Sequence, residues 1–131
     1  MNCSNLLKRT RGKSMWVSGV EYEGLYLQYH DNGQLSEKSY WKDGERHGLY
    51  LVWFKNGDLY ERCHYDDGER ITEYSEYYDN GQPSLICTYD GERITEYSEY
   101  YDNGQPSLIC TYDNESLKDY IQYDIDGNRV E

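Results

Sequence analysis

The chain has 131 residues, enough for one ordinary domain, yet 17 tyrosines stand against a single phenylalanine and hydrophobic residues make up only 37%. A formal net charge of −12 excludes nucleic acid as a natural ligand, because phosphates would be repelled rather than release counterions, and it disfavours anionic membrane surfaces for the same reason. No apolar run is long enough to span a bilayer and Leu6-Leu7 is too short for a signal peptide, so a cytoplasmic protein with a basic protein surface as its partner is expected.

Residues 1–13 differ from the rest. Lys8, Arg9, Arg11 and Lys13 occur there without an acid, which reads as a flexible basic arm. Arg11-Gly-Lys-Ser14 ends like a phosphate-binding loop, but Leu7 stands where that loop needs glycine, and no helix pattern follows.

From residue 14 onward the chain is periodic. Asn-Gly recurs at Asn32-Gly33, Asn56-Gly57, Asn80-Gly81 and Asn103-Gly104, and Asp126-Gly127 continues the series. Tyr26, Tyr50, Tyr74, Tyr97 and Tyr120 each lie seven positions before one of these glycines, and Asp-Gly-Glu-Arg recurs at 43–46, 67–70 and 90–93. The units run over 24–47, 48–71, 72–94 and 95–117, with partial units at 14–23 and 118–131. Residues 67–90 are repeated letter for letter at 90–113. A perfect internal copy is tolerated where each repeat touches only its neighbours, since an inserted unit finds the same two interfaces waiting.

Each unit reads as a hairpin. Asn-Gly between aromatic-rich stretches favours a two-residue type I′ turn with both central residues at positive φ, and Asp-Gly supplies the return turn. The second strand alternates with period two: Leu35, Ser39 and Trp41 share a face, as do Leu59, Cys63 and Tyr65, and then Pro83, Leu85, Cys87 and Tyr89. The first strand is less regular. Tyr26 and Tyr29 differ in parity, which requires either a bulge or aromatics on both faces. The expected fold is all-β: an elongated single-layer sheet of stacked antiparallel hairpins, held chiefly by the five periodic tyrosines.

Cys63, Cys87 and Cys110 take equivalent places, about 10 Å apart if each hairpin contributes two strands, too far for disulfides or a shared zinc. They read as small buried side chains. His30, His47 and His64 fall at different repeat positions and read as ordinary turn or strand residues. Asp124-Ile-Asp126-Gly127 brings its glycine too early for a calcium loop. No cofactor or metal set is expected, and because the carboxylates recur as a stripe rather than converge in a cleft, neither is catalysis.

The stripe itself is the candidate site. Between Asp67 and Asp113 eleven acids face two arginines. Glu73, Glu76, Tyr77 and Asp79, with their copies Glu96, Glu99, Tyr100 and Asp102, are the candidate partner-binding residues. Acids there would steer a basic partner, and tyrosines would supply rigid contact area.

The unit, best seen in YHDNGQLSEKSYWKDGERHGLY at 29–50, resembles the MORN-repeat variant, including bacterial and phage proteins of toxin–antitoxin type. The resemblance implies a rod of stacked hairpins, with Ser14–Gly19 as a degenerate second strand. It departs from the pattern where Thr72 and Thr95 replace the glycine seen at Gly24 and Gly48. The resemblance is compatible with an antitoxin, an immunity protein or a phage inhibitor of a host defence enzyme, acting in part by imitating a nucleic-acid backbone. The alternative it leaves is a scaffold or membrane tether that uses the basic arm. The free edge of the last hairpin leaves a homodimer open as well.

Overall fold

Alternation with period two becomes strand after strand. In the computed structural model, which describes residues 16–17 and 20–130 with side chains from Tyr22 onward, an eleven-stranded antiparallel sheet runs the length of the repeats. The basic arm at 1–13 lies outside the described residues, as does most of the first half of the partial unit at 14–23. Strands β1 (Trp16–Val17) and β2 (Val20–Glu21) form a separate two-stranded ladder. The main sheet comprises β3 (Gly24–Tyr29), β4 (Leu35–Lys42), β5 (Glu45–Arg46), β6 (Gly48–Trp53), β7 (Leu59–Asp66), β8 (Glu69–Tyr77), β9 (Pro83–Asp90), β10 (Arg93–Tyr100), β11 (Pro106–Asp113), β12 (Ser116–Tyr123) and β13 (Arg129–Val130). Each strand pairs with its neighbours in sequence, and short β5 sits beside β6 along β4. Among the described residues there is no helix and no second layer.

The Asn-Gly turns differ from the expected type. Gly33, Gly57, Gly81, Gly104 and Gly127 have positive φ, but the preceding Asn or Asp does not. The loops hold three residues: His30 N–H donates to Gln34 O at 2.8 Å while Gly33 N–H donates to His30 O at 3.0 Å. This is a type I turn followed by a left-handed glycine. The asparagine side chain decides between the two. Asn32 Oδ1 accepts from Gln34 N–H at 2.9 Å, and Asn56, Asn80 and Asn103 repeat the bond, which holds the asparagine right-handed and leaves positive φ to glycine. Type I′ geometry appears instead at two return turns, where Asp43 (φ 51) and Gly44 (φ 78), and again Asp67 and Gly68, are both left-handed; at the copied turn Gly91 is left-handed and Glu92 is not.

The first strand keeps its alternation, so Tyr26 and Tyr29 lie on opposite faces; the bulge belongs to the second strand, where it turns Leu35, Leu59 and Pro83 away from the face of Ser39, Cys63 and Cys87, which they were expected to share. Register shifts fall between Gln28 and Tyr29, Val52 and Trp53, Glu76 and Tyr77, and Glu99 and Tyr100, with the extra residue on the partner strand at Ser36, Tyr60, Ser84 and Ser107.

Down one face runs a ladder in which tyrosine alternates with cysteine. Tyr50 pairs with Cys63, Cys63 with Tyr74, Tyr74 with Cys87, Cys87 with Tyr97, and Tyr97 with Cys110. The cysteines are small enough to sit between the larger rings of their cross-strand neighbours, and Cys63, Cys87 and Cys110 are fully buried. Tyr65, Tyr89, Ile94 and Leu108 complete the core. The five periodic tyrosines are therefore not equivalent. Tyr74 and Tyr97 are buried, Tyr26 and Tyr50 half-buried, and Tyr120 is 49% exposed because only the short β13 follows β12. That same β13 covers Gln122 and Tyr123, so the edge left open by the last hairpin is shorter than expected.

The two identical segments fold differently. In the 24-residue unit Tyr65 pairs with Arg70, and two extra residues, Thr72 and Glu73, intervene before Cys63 meets Tyr74. The copy has one aspartate fewer at its turn, so Tyr89 pairs with Ile94 and a single extra residue, Thr95, precedes the pairing of Cys87 with Tyr97. Arg70 thus stacks 4.0 Å over the Tyr74 ring, whereas Arg93 swings out to Asn114 Oδ1 at 2.6 Å and Ile94 is buried in its stead. Thr72 does replace the glycine of Gly48 (φ 95), by taking φ 60 itself; Thr95 is spared that strain.

Candidate partner-binding faces

Cross-strand partners share a face, so the ladders show where each acid points. They divide the expected stripe. Glu76 and Glu99 share the tyrosine–cysteine face, two positions beyond Tyr74 and Tyr97. Glu73 and Glu96 take the opposite face, because each stands an odd three positions before its partner in the stripe and the bulge comes only after Glu76 and Glu99. Tyr77 and Tyr100 sit half-buried at the strand ends, and Asp79 and Asp102 are exposed in the Asn-Gly loops.

On the tyrosine face a column runs Glu37, Val52, Glu61, Glu76, Leu85, Glu99, Leu108 and Gln122. Glu61 and Glu76 lie directly opposite one another, and Tyr74 Oη stands between them, 3.0 Å from Glu61 Oε1 and 2.9 Å from Glu76 Oε1. One phenolic proton cannot serve two carboxylates at once, so the trio is best satisfied when a carboxyl carries a proton of its own. Burial raises the Glu61 carboxyl above its ordinary range, against the opposing pull of the Tyr74 hydroxyl and Arg70. Tyr97 Oη donates to Glu99 Oε2 at 2.7 Å in the next unit. Beside this column Arg46 is enclosed by aromatic rings, 4.5 Å from the centroid of Tyr50, 5.2 Å from Trp41 and 5.6 Å from Tyr65.

The opposite face is flatter in chemistry. Glu73, Glu96 and Asp119 alternate with Thr88 and Thr111, which places the acids about 9.6 Å apart. Ser75 Oγ donates to Glu73 Oε1 at 3.0 Å and Ser98 Oγ to Glu96 Oε1 at 3.5 Å, so buried serines orient two of the three carboxylates.

The turn ends are tied from repeat to repeat, a feature the sequence reading missed. Tyr78 Oη donates to Tyr100 O at 2.6 Å, Tyr101 Oη to Tyr123 O at 2.9 Å, and His30 Nε2 lies 2.8 Å from Trp53 O. Asn32, Asn80 and Asn103 add side-chain bonds to the carbonyls of Lys55, Asp102 and Ile125. His30 is therefore not an ordinary turn residue but the counterpart of Tyr78 and Tyr101; a column through the third residue before each glycine would have shown it. His47, for its part, meets Asp66 and Asp67 at 3.6 and 3.7 Å across a return turn, an exposed trio that carries no metal site by itself. Burial lifts the Cys63 thiol to about 12, so it stays protonated and is not a ready nucleophile.

Residues 22–43, 46–67, 71–90 and 94–114 match a family model described as MORN repeat variant, which covers more than half of the chain. No curated protein matches. Among solved structures, the Glycosylation Associate Protein (Gap123) complex from Streptococcus agalactiae is similar, with 14% identity and a TM-score of 0.40 over 82% of this chain and 21% of that one. The chain thus spans about a fifth of that protein's length. No helix among the described residues is long and apolar enough to cross a membrane.

Proposed function

The chain belongs to the MORN repeat variant family, and on that premise we propose that it is a non-enzymatic binding module that engages and neutralises the basic surface of another protein. One observation carries the reading: a single-layer sheet leaves both faces uncovered, and on each face hydroxyl groups hold carboxylates in columns. Oriented carboxylates meet a cation without first losing the entropy of free side chains, and the charge of −12 speeds encounter with an oppositely charged partner. A toxin or a nucleic-acid-handling enzyme, including a host defence enzyme, presents such a surface, and covering it blocks its phosphate-binding ground.

The experiment is capture of partners from host lysate, followed by association rates measured for each purified partner at rising salt. Two variants separate the faces: E76Q/E99Q for the tyrosine face and E73Q/E96Q/D119N for the other. The expected result is a basic partner whose association slows with salt and slows further with one variant set. Partners that are not basic, or rates indifferent to salt and to both sets, would overturn the proposal.

A further inference from the structure

Where the bulge and the Asn-Gly loop meet, a hollow of about 660 Å³ lies between the second and third complete units. Phe54, Tyr60, Tyr77 and Tyr78 line it, with Glu76 and Asp79 among them. Phe54 and Tyr60 meet edge to face, with centroids 4.9 Å apart, and the Tyr78 hydroxyl is fixed to the next repeat, so two walls are held in place. Lys55 is also on the rim, but its ammonium is paired with Asp31 of the preceding unit at 3.6 Å.

We propose that this hollow is a binding site for a guanidinium group, the side chain of an arginine on the basic partner. Rings offer the negative faces of their π-systems to a cation, and carboxylates beside them supply the counter-charge. Guanidinium suits the site better than ammonium because it is planar, stacks on rings, forks toward a carboxylate and is less strongly hydrated. The sheet already holds arginine in this manner twice, with Arg46 at 4.5 Å from the Tyr50 centroid and Arg70 at 4.0 Å from that of Tyr74. The Glu76 charge also reaches Tyr60, whose phenol is held above its ordinary range chiefly by that carboxylate.

The chain contains its own control. Two repeats on, the equivalent hollow of about 440 Å³ is lined by Ser107 in place of Tyr60, Gln122 in place of Glu76 and Asp124 in place of Tyr78. The bulge position is serine at Ser36, Ser84 and Ser107, and Tyr60 alone makes it aromatic. Both substitutions needed for a test, Y60S and E76Q, are therefore residues that this fold already accommodates.

This inference rests on the proposed function only for the source of the arginine, and a small-molecule probe separates the two. Aromatic and amide NMR shifts of the full chain are followed on titration with N-acetyl-arginine amide, N-acetyl-lysine amide and neutral N-acetyl-norleucine amide. The expected result is saturable shifts at Tyr60, Tyr77 and Tyr78 with the arginine probe, weaker ones with lysine and none with norleucine. Y60S and E76Q should each weaken arginine binding about tenfold, with unfolding midpoints showing that both variants remain folded. Shifts spread evenly over the acidic surface, or as strong at Tyr101 and Tyr123, would reduce the effect to counterion binding and overturn the proposal. So would arginine binding unchanged in Y60S. If the probe fails while a basic partner still binds in a salt-dependent manner, the hollow is refuted and the binding module is not. If the probe binds and no basic partner exists, the reverse holds.

Discussion

Thr72 and Thr95 occupy the same place in two identical stretches of sequence, yet only Thr72 is left-handed, at φ 60. Replacing each by glycine isolates the cost of that conformation. T72G loses one short hydroxyl bond, Thr72 Oγ1 to Ile71 O at 2.7 Å, and T95G two longer, exposed ones to the facing strand, to Thr88 O at 3.3 Å and Thr88 Oγ1 at 3.2 Å. Both also add the backbone entropy of glycine, about 0.5–1 kcal/mol relative to alanine in a strand. These terms nearly cancel in the difference. What remains is the left-handed strain of an L-residue, about 1–2 kcal/mol, relieved only in T72G. T72G should therefore leave the protein close to wild-type stability or slightly above it, with T95G about 1–2 kcal/mol below T72G. Urea unfolding followed by intrinsic fluorescence reads this as a gap in midpoint of roughly 0.5–1 M at a slope near 2 kcal/mol per M. Equal midpoints would refute the claim that the missing aspartate at the copied turn changes the bulge.

Tyr74, 5% exposed, and Tyr120, 49% exposed, share a repeat position, so Y74A should cost about 3–5 kcal/mol in denaturant unfolding and Y120A less than half as much. Similar losses would contradict the burial gradient along the ladder. Cys63, Cys87 and Cys110 should resist alkylation at pH 8 in the native protein and react on unfolding, read by peptide mass mapping; at a thiol value of about 12 only about one Cys63 in ten thousand is thiolate at that pH. Rapid native labelling at Cys63 would disprove its enclosure. Glu61 holds its proton more tightly folded than unfolded, so its contribution is greatest below the ordinary carboxyl value of 4.5 and is lost as pH rises through the raised one. Unfolding midpoints of the wild type relative to E61Q should therefore fall over that window, and a rise would reverse the assignment.

The hairpin order was legible because every unit spells the same alternation, and five registers of one pattern leave little freedom for another topology. What the letters hid was local choice between equivalents. Asn-Gly names two turns, and the bond from the asparagine side chain to the residue two ahead selects the three-residue one. The candidate site was half legible. Glu73 and Glu76 were correctly placed on one strand, but their separation by three puts them on opposite faces unless a bulge falls between them, and the bulge falls after Glu76. Tyr60 was overlooked although its signal was simple: an aromatic in a column otherwise of serine.

The duplicated segment shows how such a sheet absorbs errors of length. Losing one aspartate from the return turn would, in an unbroken ladder, turn every following side chain to the other face. Here the adjoining bulge shrinks from two residues to one, and the correction is complete within that half-strand. Tyr97 meets Cys87 and Cys110 as Tyr74 meets Cys63 and Cys87. Only the short stretch between turn and bulge changes face, exchanging Arg70 against Tyr65 for Ile94 against Tyr89. The exchange is tolerable in both senses because aromatic rings accept either a guanidinium stacked on them or an aliphatic side chain packed against them. A column of leucines would have accepted only the second. The abundance of tyrosine is thus part of what lets this chain be lengthened, since it makes the one position exposed to slippage indifferent to which of two neighbours fills it.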